Sequence, residues 1–351
     1  DYLKLRGSYG IVGSDETGES AGAPHYLYRN IINHNSGRGS YFGVTGGNYY
    51  YGSAVSSYAV ENAHWERVKK LDIGVDMHLF NQIDVVFDYF YDKRDRILMK
   101  RGSWPDVMGY WSVYPWSNIG KVDNQGIEVS VNWKKKVLSD LSFEMRANFT
   151  YNKNKYVYKD EPNYPSVWQM YQGQPLDSYQ TRGFIAEGLF SSQEEINRSA
   201  TQTSFGSKVM PGDVKYRDIN GDGAITADDY TMISPYGTTP RIQYGVGLNV
   251  MWRKFDFGVF FNGSANRTIL LSNTYKFDSN TSTSNLAPFD LSNGHGPHNV
   301  MQFIADDYWS ESNPNSNAAY PRLGLSASQT GNNTVGSTYW SRCGNFLRWK
   351  T

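Results

Sequence analysis

Across 351 residues, 34 Lys and Arg balance 34 Asp and Glu, so neither a nucleic-acid-binding patch nor an acidic tail is expected. No apolar run reaches the length of a transmembrane helix, which excludes a helical membrane protein but not a β-barrel, whose strands need only one apolar face. The single cysteine, Cys343, excludes an internal disulfide.

From Leu3 to Ile11, apolar Leu3, Leu5, Tyr9 and Ile11 alternate with Lys4, Arg6, Ser8 and Gly10. This predicts a strand. A polar segment rich in Gly, Ser, Asn and Tyr then runs to about Ala63. Its glycines do not open a helix after a strand, so no phosphate-cradling loop is expected. The next strand spans about Trp65 to Phe80, with Leu71, Ile73, Val75, Met77 and Leu79 on one face. A short turn leads to a strand from Ile83 to Asp92, where Ile83, Val85, Phe87, Tyr89 and Tyr91 share a face.

A second long segment, about Ile97 to Ser117, contains Trp104, Tyr110, Trp111, Tyr114 and Trp116. Ile127, Val129, Val131 and Trp133 then alternate with Glu128, Ser130, Asn132 and Lys134, and a short turn over Lys135 to Asp140 reverses the chain. From Leu141 to Asn152 the period of two is at its clearest. A third long segment runs from Lys153 to Pro240. After it come two strands, Ile242–Trp252 and Phe255–Asn262, joined by a tight turn at Arg253-Lys254. A fourth long segment, about Ala265 to Cys343, precedes a partial strand at Phe346. The chain opens and ends on strand-like patterns, which predicts a piece of a longer protein.

The strands are about ten residues long, and short turns alternate with long loops, as in transmembrane barrels. Aromatic residues also fall where interfacial girdles belong, with Phe80, Trp133, Trp252 and Phe255 by the short turns and Tyr9, Tyr89, Tyr91 and Tyr151 toward the long loops. A soluble antiparallel protein with one wet face explains the alternation alone. A closed eight-stranded barrel would force Asp84, Asp88, Glu128, Glu144 and Arg146 into a narrow interior.

Residues 211–230 form an acidic, glycine-punctuated loop. Asp218, Asn220 and Asp222 occupy positions 1, 3 and 5 of a calcium-loop frame, followed by Gly223 at 6, Ala224 at 7, Thr226 at 9 and Asp229 at 12. The spacing offers carboxylates, an amide oxygen and a backbone carbonyl around one sharp turn. Asp in place of Glu at the last position shortens the reach. A structural Ca2+ is expected, Mg2+ being the lesser candidate; the alternative is a well-turned Asx/Gly loop with no ion.

No enzyme is expected. His295 and His298 lack a surrounding zinc pattern, Cys343 lacks a positioned base, and the carboxylates on the polar strand faces read as lumen lining. The aromatic segment Trp104, Tyr110, Trp111, Tyr114 and Trp116 is the candidate substrate contact, because sugars pack their C–H faces on rings and binding residues concentrate on loops. The alternatives are loop-on-loop packing or contact with a second protein.

Several motifs occur in an order that resembles the SusC/RagA family of TonB-dependent outer-membrane transporters. These are LKLRGSYGIVG from Leu3, Trp65-Glu66 followed by Leu71-Asp72-Ile73-Gly74-Val75-Asp76, and Asn118-Ile119-Gly120 through Asn124-Gln125-Gly126-Ile127-Glu128. They continue with Gly183-Phe184 through Gly188-Leu189-Phe190, Pro211-Gly212-Asp213 through Asp229, Pro321-Arg322-Leu323 and Phe346-Leu347-Arg348. The resemblance implies an all-β fold, with residues 1–351 part of a large antiparallel transmembrane barrel of the roughly 22-stranded, plugged type with long extracellular loops. It implies import of glycan oligosaccharides, or of peptides in some members. It also implies a SusD-like lipoprotein lid, energy through TonB contacted by a part outside this chain, and outer-membrane lipid around the barrel. A soluble calcium-dependent carbohydrate-binding β-module is the alternative drawn from the residues themselves.

Overall fold

The computed structural model describes residues 1–15, 23, 25–44, 46–105, 107, 113–271, 302–324 and 327–350. Eight strands form one antiparallel sheet: β1 (Tyr2–Ser14), β2 (Glu66–Leu79), β3 (Ile83–Lys100), β4 (Trp116–Leu138), β5 (Leu141–Tyr158), β6 (Ile242–Trp252), β7 (Phe255–Ala265) and β8 (Phe346–Lys350). Their order in the sheet is their order in the chain. Among the described residues the sheet does not close, and β1 and β8 are its edges. The closed eight-stranded alternative is therefore not what the chain forms.

Pairing keeps every strand in phase. One cross-strand row reads Leu5, Val75, Phe87, Val129, Phe149 and Tyr244, and the row beyond it Leu3, Met77, Val85, Val131, Ala147, Val246, Phe261 and Trp349. Between these two lie Lys4, Asp76, Val86, Ser130, Asn148, Gly245, Asn262 and Arg348 on the other face. A slip of one residue anywhere would turn an apolar set onto the polar face, so the side-chain period itself fixes the register. The apolar face stays open, with Leu3, Leu5, Ile11, Phe257, Leu347 and Trp349 all exposed. A soluble sheet would cover such a face; a membrane strand offers it to lipid.

The three short turns stand together at one end. Phe80 and Asn81 take φ of 54° and 51°, and Arg253 takes 55°. This left-handed backbone lets a tight hairpin follow the twist of its strands. Arg253 also ties two turns together, its guanidinium Nε donating to Asp140 Oδ2 at 2.9 Å and its backbone N–H to the Asp140 carbonyl at 2.8 Å. The four long connections leave the opposite end.

Several element boundaries differ from those expected, β5 among them, which runs to Tyr158 rather than ending at Asn152. β3 runs to Lys100 and β4 starts at Trp116, so the long segment expected over Ile97–Ser117 shrinks to residues 101–115. The ladder passes an irregularity between Arg94 and Ile97 and continues, because backbone hydrogen bonds do not need an apolar face. The turn expected from Lys135 starts only after Leu138. The first polar segment also holds a hairpin of Ile31–Phe42 with Asn48–Ser57. Its strands approach closely at Gly39, where a Cβ would collide with the Tyr50 carbonyl. Rings pack across it, Tyr41 on Tyr49 at 4.9 Å and Phe42 on Tyr50 at 5.5 Å.

The third and fourth long segments fold onto each other rather than standing as open loops. Phe184, Leu189, Phe205, Val214, Tyr216 and Ile225 from the third pack with Trp309, Ala318 and Val335 from the fourth. Each large apolar side chain buried this way contributes roughly 1.5–3 kcal/mol. A second cluster centres on Ile304 and Trp340. The core of the described chain thus lies at the long-loop end, beyond the sheet.

Candidate functional site

The polar face of the sheet and the loops above it make one continuous surface. On the sheet, Arg6 Nη2 lies 2.9 Å from Asp76 Oδ1 and 2.9 Å from Asp88 Oδ1, the second as an ion pair without a well-aligned hydrogen bond. Gly74 leaves the space that this guanidinium fills, since a Cβ there would collide with Asp88 Oδ1. Glu144 accepts from Arg146 at 2.6 Å and faces Lys134 at 3.3 Å. Glu144, Arg146, Asn249 and Phe260 line a cleft of about 350 Å³ on this face. Register places Asp88 opposite Glu128, and Asp84 in the row of Asn132 and Arg146, so the charges expected to line a lumen do share one face.

Above this wall, the described part of the aromatic loop, residues 101–105, 107 and 113–115, joins β3 to β4. Its base is closed by the Arg101 N–H donating to the Pro115 carbonyl at 2.9 Å and by Lys100 pairing with Trp116. Trp116 therefore belongs to β4, not to the loop. Arg101 stands 5.7 Å over the Trp104 ring and the Lys100 ammonium 5.5 Å over the Trp116 ring. One face of each indole is thus occupied by a cation. Tyr114 is half-buried beside them. Tyr110 and Trp111 lie outside the described residues, as do His295 and His298.

The loop is clamped from below by Asp160, which sequence reasoning did not single out. Its Oδ2 accepts from Arg101 Nε at 2.9 Å, from Ser103 Oγ at 3.0 Å and from the Ser103 N–H at 3.3 Å. Burial works to raise this carboxyl, but the bonds from Arg101 and Ser103 hold it below the usual carboxylate range. Next to it, Lys159 Nζ sits 3.8 Å from the Tyr171 ring centre and Arg182 4.5 Å from the same ring. Burial pushes the Lys159 ammonium down from its ordinary range. Buried Arg182 donates to the carbonyls of Trp168 at 3.0 Å and Met170 at 3.3 Å. No periodic signal marks these residues; they come together only through loop packing.

The acidic loop does gather into one tight turn. Asp218 Oδ1 accepts from the Gly221 N–H at 2.6 Å and its Oδ2 from Gly223 N–H at 2.8 Å. Asn220 Oδ1 accepts from Asp222 N–H at 3.1 Å, and Asp222 Oδ1 from Ala224 N–H at 2.8 Å. Asp229 is fully buried; its Oδ1 accepts from Ile219 N–H at 2.7 Å and its Oδ2 from Thr226 N–H at 2.9 Å. Thr226 Oγ1 takes the Asp228 N–H at 3.2 Å. These oxygens are spent on amides, and among the described residues no three His, Cys, Asp or Glu side chains converge as a metal site. The loop is stitched in place by Ile225 N–H to the Thr201 carbonyl at 2.8 Å and by Trp168 Nε1 to the Asp228 carbonyl at 2.8 Å.

Two asparagines bind the loop module together. Buried Asn333 accepts from Val214 N–H at 2.9 Å and donates to Asp213 Oδ1 at 2.8 Å. Asn332 donates to the Val214 carbonyl at 2.7 Å and accepts from Gln202 Nε2 at 2.8 Å. Asp213 is also paired with Arg322 at 3.0 Å. Burial pushes the Asp213 carboxyl upward, while Arg322 and Asn333 pull it back.

A family model described as TonB dependent receptor-like, beta-barrel matches residues 1–181. TonB-dependent receptor P3 of Formosa agariphila is 27% identical over 274 residues, covering 74% of this chain and 26% of that protein. TonB-dependent receptor SusC of Bacteroides thetaiotaomicron is 25% identical over 297 residues, covering 81% of this chain and 27% of that protein. The chain thus spans about a quarter of the length of the curated relatives it matches. A solved structure described as the RagAB peptide transporter aligns with a TM-score of 0.61 at 18% identity, covering 99% of this chain and 33% of that one. The RagAB peptide importer in the 'open-open' state aligns with a TM-score of 0.63 at 18% identity, over 100% and 33%. At that identity the likeness is one of fold.

Proposed function

Because the chain belongs to the TonB-dependent receptor-like β-barrel family and is part of an outer-membrane protein, we propose that the whole protein imports glycan oligosaccharides across the outer membrane. Energy comes through TonB, and a SusD-like lipoprotein closes the long-loop end. The observation that carries the reading is the in-phase sheet. One face is apolar across all eight strands, the other is ionic and wet, and every long loop leaves one end. That is a wall of a wide aqueous passage with a receiving surface on one side. On the wet face Arg6 pairs with Asp76 and Asp88, and Arg146 and Lys134 with Glu144; the likeness to TonB-dependent receptors supports movement of the substrate rather than its transformation.

Glycan cargo is supported by the likeness to SusC and by the half-buried indoles of Trp104 and Trp116 at the loop base, a residue type on which sugar C–H groups stack. A second reading, peptide cargo, is supported by the fold likeness to the RagAB peptide transporter and by the paired acids and bases of the wall. Uptake of labelled oligosaccharides and labelled peptides by cells with and without the full-length gene decides between them. Loss confined to oligosaccharides supports the first reading and loss confined to peptides the second; undiminished uptake of every compound tested defeats import altogether. A lipoprotein co-purifying with the full-length barrel is the expected partner.

A structural Ca2+ held by Asp218, Asn220, Asp222, the Ala224 carbonyl, Thr226 and Asp229 goes with this reading, supported by their spacing. Binding requires half-buried Asp218 and exposed Asp222 to share or exchange the amide donors that they now accept from.

A further inference from the structure

On the outward face, pairing gathers cations at a single height. Arg67 and Lys69 of β2, Lys93 of β3, and Lys153 and Lys155 of β5 lie an even number of positions from Leu71, Tyr91 and Tyr151, and so share their face. Lys69, Lys93, Asp123 and Lys155 form one cross-strand row, and Leu71, Tyr91, Gln125 and Lys153 the outward row beside it. Lys69 stands directly opposite Lys93, an arrangement that is unfavourable unless something negative lies between. The protein supplies little. Arg67 is neutralised by Asp95 at 2.7 Å. Asp123 Oδ2 accepts from the Tyr91 hydroxyl at 3.1 Å, and its Oδ1 has no protein donor. None of the four lysines is ion-paired among the described residues.

The height is that of a membrane boundary. Ten residues separate Ile83, at the short-turn end, from Lys93. At about 3.3 Å rise per residue and a tilt near 40°, they climb about 25 Å, the height of the apolar band of such barrels. Tyr89, Tyr91 and Tyr151 sit just below, as an interfacial girdle does. Lys93, Lys153 and Lys155 are exposed. Tyr91, Asp123, Gln125, Lys153 and Lys155 line an outward cleft of about 210 Å³. The chemistry is that of ammonium donors and a phenol rim around a small polar hollow, beside a surface solvated by acyl chains.

We propose that this belt binds the phosphate-bearing head groups of lipid in the leaflet on the long-loop side, with Lys93, Lys153 and Lys155 as the main donors and Lys69 behind them. Ammonium groups at a membrane surface attract such head groups, and the aromatic girdle seats the sugar or glycerol portion below the phosphate. An anion beside Lys69 and Lys93 also relieves the like-charge opposition that the register imposes. The inference goes beyond import: it concerns how the barrel is held in its membrane, and its readout is lipid rather than cargo.

The test uses the full-length protein in mixed micelles containing diphosphoryl lipid A, with retained lipid counted by native mass spectrometry. K93Q/K153Q/K155Q is expected to weaken retention by at least about tenfold, and the dephosphorylated lipid to bind the unaltered protein at least about tenfold less well. Retention should fall with ionic strength, and inorganic phosphate at equal concentration should not displace the lipid. Equal retention by the variant, equal binding of the dephosphorylated lipid, or displacement by inorganic phosphate would each overturn the proposal. So would capture of an acidic protein that the lipid fails to displace. Should the triple variant not fold, Asp123→Asn keeps an acceptor for Tyr91 and removes the central anion. It is expected to tighten retention by about two- to threefold, and unchanged retention counts against the belt.

Discussion

Asp160 illustrates what one carboxylate does at the base of a long loop. It accepts from Arg101 and Ser103 across a separation of nearly sixty residues, so one acid just beyond β5 ties down the start of the aromatic loop. Burial raises its pKa and these donors lower it, and the donors win. A carboxyl depressed in the folded state stabilises it above the unfolded value, about 3.9 for Asp, and that contribution is lost as pH falls through the folded value. Proteolysis of residues 101–115 in the full-length protein should therefore be constant between about pH 5 and 7 and accelerate below about pH 4. Asp160→Asn should open the loop at every pH and flatten the profile; acceleration toward high pH would contradict the clamp. The acidic loop makes a different residue-scale claim. Calcium added to chelator-stripped protein is expected to bind with a Kd of about 0.1–1 mM, the range of extracellular modules. The heat of binding should vanish in the Asp218→Asn, Asp222→Asn double variant. An absence of heat in the unaltered protein would leave the loop as an Asx/Gly turn capped by its own acids.

At the scale of elements, the loop module depends on a buried ion pair. Asp213 is fully buried and Arg322 half-buried, and Asn333 links both to Val214. Asp213→Ala leaves a guanidinium without its partner and should destabilise the module by about 3–5 kcal/mol. Rapid protease cutting between residues 183 and 241, with the barrel still resistant, is the expected readout; slow cutting would mean that the Asn332–Gln202 bonds suffice. Little of this module was legible in the sequence. Phe184, Val214 and Val335 are far apart in the chain and follow no period, so nothing local announces a shared core. The strands were legible to the degree that their two faces differ. β6 matches its expected bounds because the residues from Ile242 to Val250 alternate and the tight turn at Arg253-Lys254 ends the strand. β3 was cut short because Asp92, Lys93, Arg94 and Asp95 are charged on both faces, although the ladder continues through them. The hairpin at Ile31–Phe42 was missed for a related reason: its glycines and tyrosines read as loop, while Gly39 is what lets the strands meet. The acidic loop's turn was legible from spacing, and its use of each acid to cap an amide was not.

For the whole molecule, the decisive property is which face meets lipid. Val246 is 42% exposed and stands in an apolar row that runs from Leu3 through Val85 and Val131 to Trp349. Asn249, three residues on, lies between Glu144 and Gly258 on the wet face. The two positions belong to one strand and lie between the same two strands, β5 and β7, so substituting each by Arg mainly compares the media that the charge enters. Near the bilayer midplane Val246→Arg should cost about 2–4 kcal/mol, because a guanidinium in hydrocarbon loses its hydration. Asn249→Arg places the same group in water beside Glu144, where the effect should stay within about 0.5 kcal/mol. Folding the full-length protein into lipid vesicles, with stability read from denaturant titration, separates them. A large cost at Val246 alone identifies the outward face as the membrane face. Equal costs would mean that both faces meet the same solvent, and the wide aqueous passage would go with them.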